Sequence, residues 1–155
     1  MSSASRPSPA RLVPYDDMYQ TCERTAAKLR VYGPTLECEQ VTEYLHIQPS
    51  PSYAGRKKPD SSHPQARHVA WMLSSEGHVE SKDLRRHLDW LLLQIEPAAD
   101  GLKQLQSMDD VVANVVCVWW SAAGDGGPTL WPEQMRRLAE LDLECSFEFA
   151  FYGDD

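Results

Sequence analysis

No apolar run in this sequence approaches the ~20 residues that a membrane helix needs. The opening residues, MSSASRPSPARL, hold no continuous apolar segment of the kind that directs export. A membrane span and a secretory signal are therefore not expected, and the chain reads as cytoplasmic. Cysteine is sparse: Cys22, Cys38, Cys117 and Cys145 form no C-x-x-C step. Neither a disulfide framework nor a zinc site is expected, and the thiols read as small buried hydrophobes. Positive charge is in deficit. Lys and Arg number 15 against 23 Asp and Glu, a formal charge of -8. That balance argues against a nucleic-acid surface, which needs clustered cations, and leaves a basic protein as the electrostatically welcome partner.

Catalytic signatures are missing too. The chain contains no G-x-S-x-G elbow, H-E-x-x-H pair, Walker loop or dinucleotide fingerprint. Its glycine-bearing stretch SAAGDGGPT, residues 121–129, lacks the Lys-Ser/Thr step that would cradle phosphate. The histidines match no compact ligand spacing, and the acidic pairs Asp109-Asp110 and Asp154-Asp155 read as solvated element ends. No cofactor, metal or catalytic residue is assigned from the sequence.

What the chain does have is a long β-branched and aromatic stretch, Val111 to Trp120, apolar in both of its alternating sets except at Asn114. It reads as a central strand covered on both faces. Other elements arrange around it. Cys22 to Tyr32 alternates as a strand that Gly33-Pro34 ends. Thr35 is the expected cap of a helix finishing near Ile47, with Cys38, Val41 and Leu45 inward. His68 to Ser74 reads as a second strand. Ser81 is the expected cap of the strongest helix, in which Leu84, Leu88, Leu91, Leu92 and Ile95 share one arc. A short helical return, 98–108, leads into the central strand. Pro132 opens a last helix with Met135, Leu138 and Leu141 inward. Leu143 to Tyr152 then alternates as a half-buried strand, with Cys145, Phe147, Phe149 and Phe151 on the core side. The expectation is an α+β fold: one four-stranded, mostly antiparallel or mixed sheet with about three main helices packed on one face. Residues 1–14 read as a flexible leader and 15–155 as a single domain, with an unusually long loop at 48–67.

The segments TCERTAAKLRVYG, TLECEQVTEYLHIQPS, HVAWMLSS, DLRRHLDWLLLQIEP and PEQMRRLAELDLECSFEFAFY, taken together over most of residues 21–152, resemble a small bacterial family, the domain of unknown function 4279. The resemblance implies bacterial origin and a soluble single domain, and it carries no catalytic motif. Small families of this kind often accompany toxins as immunity proteins, which is an association rather than a mechanism.

The leading expectation is a non-catalytic protein-binding module, an immunity protein covering a cognate toxin. Its contact residues are expected among Trp131, Trp90, Leu93, Trp120, Glu144, Glu148 and Tyr152, with the acidic helix face Glu37, Glu39 and Glu43. The physical motive is the second apolar face of the central strand, which the helices are expected to leave bare. A second reading is a small-ligand sensor or enzyme, with the 48–67 loop as a lid over a pocket holding Arg56, His63 and His68. A third is homodimerisation through Val112, Val116 and Trp120 on the open sheet face.

Overall fold

A computed structural model describes residues 13–55, 57 and 68–151. The expected leader lies outside these residues except for Val13 and Pro14. The first strand, β1 (Cys22–Tyr32), ends where Gly33 lets the chain turn tightly: a Cβ there would meet Leu36 Cβ at 2.8 Å. The Leu36 amide closes that turn on the Gly33 carbonyl at 3.3 Å. Thr35 is therefore used up in the turn and does not cap the helix. Instead α1 (Cys38–Leu45) starts after Glu37, whose amide donates to Gln40 Oε1 at 2.8 Å, and it stops at His46, which takes a left-handed φ of 57°. The next strand is β2 (Val69–Ser74).

The long helix α2 (Leu84–Ile95) is capped by Asp83, not Ser81: Asp83 Oδ1 accepts from the Arg85 amide at 3.0 Å. Ser81 has other work, donating to Asp17 Oδ1 at 2.6 Å and accepting from the Asp83 amide at 3.0 Å. The expected leucine arc is wholly buried. After a short turn, α3 (Ala99–Gln106) buries Leu102 and Leu105, β3 (Val112–Ser121) follows, and α4 (Pro132–Glu140) leads into β4 (Glu144–Ala150).

The four strands form one mixed sheet in the order β2-β1-β3-β4, antiparallel except for the parallel β3–β4 pair. The α+β architecture expected from the pattern is what is found. One sheet face, carrying Ala27, Leu29 and Val31 of β1 with Val115 and Cys117 of β3, merges with the helix stripes into a single core. Among the described residues no helix is long and apolar enough to cross a membrane.

Two expectations need correction. The second face of β3 is not bare. Val116 and Val118 keep only 3% and 5% of their surface, although no helix lies over them, because long polar side chains from the neighbouring strands fold across. Lys28 stands beside Val116 in the register, Arg24 lies over the Trp120 ring at 4.0 Å, and Arg30 reaches Glu148 at 3.2 Å. A roof of polar side chains over Val116 and Val118 thus stands where a covering layer would, while Val112 at the strand's start stays 54% exposed.

The final helix and strand also differ from expectation. Met135 is exposed, and Gln134 takes the inward position. Its Oε1 accepts from the Trp131 amide, while its Nε2 donates to Arg85 O at 2.9 Å and Asp89 Oδ1 at 2.8 Å. A polar link to α2 has displaced the apolar residue. On β4, Phe147 and Phe149 do face the helix side but remain 39% and 61% exposed, and Phe151, one residue past the strand, is 49% exposed. The reason is length. The nine residues of α4 rise about 13 Å, whereas the seven of β4 extend about 23 Å, so the far half of the strand outruns its cover.

Candidate functional site

The margins of the sheet are treated differently. At β2 the Ser50 amide donates to Met72 O at 2.8 Å, and Ser50 Oγ accepts from the Ser74 amide at 2.9 Å, so the chain after α1 runs along that edge and occupies it. At β4 no backbone hydrogen bond leaves the outer edge among the described residues. Within the strand that edge lacks lysine, proline or a bulge, and its charge is confined to Glu144 and Glu148 on the open face, so few of the devices that discourage pairing are present. Phe149 packs edge-on against the buried Trp119, with ring centroids 6.1 Å apart, and stacks with Phe147 at 6.2 Å. Phe151 touches the loop at Gly124: a Cβ on that glycine would lie 3.3 Å from the ring. An aromatic row therefore runs beside an unpaired backbone edge, a site for an added strand.

The residues singled out from sequence scatter. Glu144, Glu148 and Trp120 share the open face, opposite the phenylalanine row, in register with Asn114, Val118 and Ala150 respectively. Glu148 is engaged by Arg30 and Trp120 by Arg24. Tyr152 lies outside the described residues. Glu37 pairs with Lys57 at 3.7 Å, while Glu39 and Glu43 stay exposed on α1. On α2, Leu93 is exposed and Trp90 stacks on His78 with centroids 4.7 Å apart. Trp131 is committed within the chain: its Nε1 donates to Val13 O at 2.8 Å, and its ring meets Tyr15 at 4.7 Å and the Arg85 guanidinium at 5.1 Å. Sequence reasoning passed over the phenylalanine row because alternation shows which residues share a face, not whether a helix reaches them. The shortness of the last helical pattern was the available signal.

Trp131 belongs to a clasp built on a fully buried ion pair. Arg85 Nε and Nη2 donate to Asp83 Oδ1 and Oδ2 at 2.9 and 2.7 Å, and the remaining donors reach Val13 O and Pro14 O at 2.6 and 2.9 Å. The Asp16 amide completes Asp83 at 2.7 Å. Burial by itself raises the Asp83 carboxyl, but these hydrogen bonds outweigh it and hold the group below the usual range. Alongside, the Tyr15 hydroxyl donates to Asp89; burial, then that carboxylate, pushes its pKa up to about 12.

A serine–histidine contact also lies in the interior. His87 Nε2 donates to Ser81 O at 2.8 Å, and Nδ1 accepts from the Ser75 hydroxyl at 2.7 Å, whose Oγ accepts from the Ala27 amide at 2.9 Å. Ser75 and His87 are both buried, so the arrangement ties β1 to α2 and offers no nucleophile to solvent.

One hollow of about 340 Å³ opens at the end of the sheet, lined by Tyr32, His68, Asp110, Val112, Asn114 and Glu144. Among the described residues, His68 Nε2 and Asn114 Oδ1 have no hydrogen-bond partner. Of the residues expected to join His68 in a pocket, Arg56 and His63 lie outside the described residues. The described part of the expected lid, Gln48 to Gly55, borders a different hollow against α1. Among the described residues no cluster of His, Cys, Asp and Glu is arranged to hold a metal.

Residues 21–152 match the family described as a domain of unknown function, DUF4279. No curated protein and no solved structure matches the chain.

Proposed function

The chain belongs to the DUF4279 family, and on that premise we propose that it is a non-catalytic protein-binding module that docks through the β4 margin, a cytoplasmic immunity protein whose partner is a cognate toxin. The observation that carries this reading is the exposed row Phe147, Phe149 and Phe151 beside an edge with no backbone partner among the described residues. Apolar aromatics at the centre of a patch supply binding energy, and unpaired amides and carbonyls supply register for an extended segment of the partner. The formal charge of -8 favours a basic toxin by speeding encounter rather than by strengthening the final contact.

The test is co-expression with the product of the neighbouring gene. Wild type is expected to co-purify with it, Phe149→Asp to lose it, and Leu93→Ser on α2 to retain it. If nothing co-purifies, or if Phe149→Asp still captures the partner, the reading fails.

The small-ligand reading keeps one specific observation, the His68 Nε2 and Asn114 Oδ1 atoms at the end of the sheet, which find no hydrogen-bond partner among the described residues. A ligand there would gain hydrogen bonds that the apo protein lacks. Loss of a ligand-induced thermal shift in Asn114→Ala would identify it.

A further inference from the structure

Resting on the reading of β4 as the docking margin, we infer that the same edge accepts a second copy of this chain, pairing β4 antiparallel to β4 of the partner about a two-fold axis at Phe147. The strand is self-complementary in that register. Phe147 meets its own copy, Phe149 faces Cys145, Glu148 faces Ser146, and Glu144 faces Ala150. No glutamate directly opposes a glutamate, Glu148 lying only diagonal to Glu144 and Glu148 of the other copy, and the phenylalanines of both copies fall on one face. Like charges directly opposite one another would penalise the pairing, and this register avoids them. A two-fold contact of one patch with itself also closes, so it yields a dimer and not a fibre.

The surface available sets the strength. A phenylalanine ring carries on the order of 150–250 Å², and about half of each of the three remains exposed. Six half-exposed rings with two strand edges give on the order of 600–1,000 Å², below the standard size for a stable complex. The dimer is accordingly weak, with a dissociation constant in the micromolar range or above, and a toxin with a better fit displaces it.

Sedimentation velocity of the full chain from micromolar to millimolar concentration tests this. Wild type is expected to shift from monomer to dimer, and more readily at higher salt, because two copies of net charge -8 repel until screened. Capture of a basic toxin weakens with salt, so the two uses of the edge respond in opposite directions. The register is tested at Ser146, on the face away from the core. Ser146→Lys, opposite Glu148 of the other copy, is expected to tighten dimerisation about three-fold or more, and Ser146→Glu to loosen it by a similar factor. Since both variants alter one position, loss of folding cannot produce opposite shifts. A monomer throughout, or Ser146 variants that move the equilibrium in the same direction, would overturn the inference. Toxin capture by such a monomer would leave the docking proposal standing, whereas a dimer that captures no partner would remove the toxin and keep the self-pairing.

Discussion

Arg30 and Glu148 meet at 3.2 Å across a strand that belongs to neither of them. They sit on β1 and β4, with β3 between, and in the register their side chains run diagonally over Val116. Their use is cover more than attraction, since an exposed ion pair contributes about 1 kcal/mol or less. Glu148→Gln is therefore expected to cost under ~1 kcal/mol and Arg30→Met about as little. Arg30→Ala, which uncovers the valines, should cost about 1–2 kcal/mol. Urea denaturation of the three variants decides it: equal losses for Arg30→Met and Arg30→Ala would show that charge, not cover, is what matters.

The Asp83–Arg85 pair behaves in the opposite way because neither group reaches water. Removing one member strands the other, and such losses run to about 3–5 kcal/mol. Arg85→Ala is expected to lose that much and to release the segment Val13–Asp16, visible as faster proteolysis near Pro14. Asp83 has its pKa lowered in the folded state, so its contribution is present above the unfolded carboxylate range and is lost as pH falls through the folded value. Asp83→Asn should therefore be less stable than wild type at pH 7, because Arg85 is stranded, and should lose less further stability than wild type as pH falls through the carboxylate range; an equal loss in urea titrations would show that Asp83 does not carry this pH dependence.

His87 sets a second, milder pH dependence. Burial lowers its pKa, against the pull of the Ser81 carbonyl and the Asp83 charge. The neutral ring is satisfied on both nitrogens, so the unfolded chain takes up the proton first. Stability is then unaffected above the unfolded value of about 6.5 and declines below it, by at most about 1.4 kcal/mol per pH unit. His87→Gln should be less stable than wild type at pH 7.5 and lose less between pH 7 and 5.5. A variant with the wild-type slope in guanidinium titrations at those pH values would refute the assignment.

Gly101 lies in α3 at the crossing with α1, where a Cβ would come within 1.9 Å of the Tyr44 carbonyl oxygen. Alanine is the better helix former by about 1 kcal/mol, yet Gly101→Ala is expected to destabilise by about 1–3 kcal/mol, because the obstacle is backbone and must be pushed aside. A raised thermal midpoint would show that the helices separate more easily than this contact implies.

Periodicity made most of this fold legible. The Leu84, Leu88, Leu91, Leu92 and Ile95 arc and the doubly apolar Val111–Trp120 strand are local patterns, and the chain keeps them. Caps were less legible, because Thr35 and Ser81 are good caps in isolation: Thr35 falls inside the turn that the Leu36 amide closes on Gly33 O, and Ser81 is diverted by its bond to Asp17. The docking margin was hidden for a different reason. Phe147, Phe149 and Phe151 alternate as core residues should, and their exposure follows from how far α4 reaches, a property of two elements together. Likewise the roof over Val116 needs β1 and β4 to flank β3, an order that no single segment encodes.

The peg formed by Arg85 carries the folded unit upstream of its family match. The family match starts at residue 21, yet the guanidinium hands its protons to the carbonyls of Val13 and Pro14, and Asp83 takes one from the Asp16 amide. A shortened polypeptide opening at Thr21 would keep every strand and helix while stripping the interior cation of its two carbonyl partners and the anion of the Asp16 amide. The smallest self-sufficient piece is longer than the homology unit and reaches upstream at least as far as Val13.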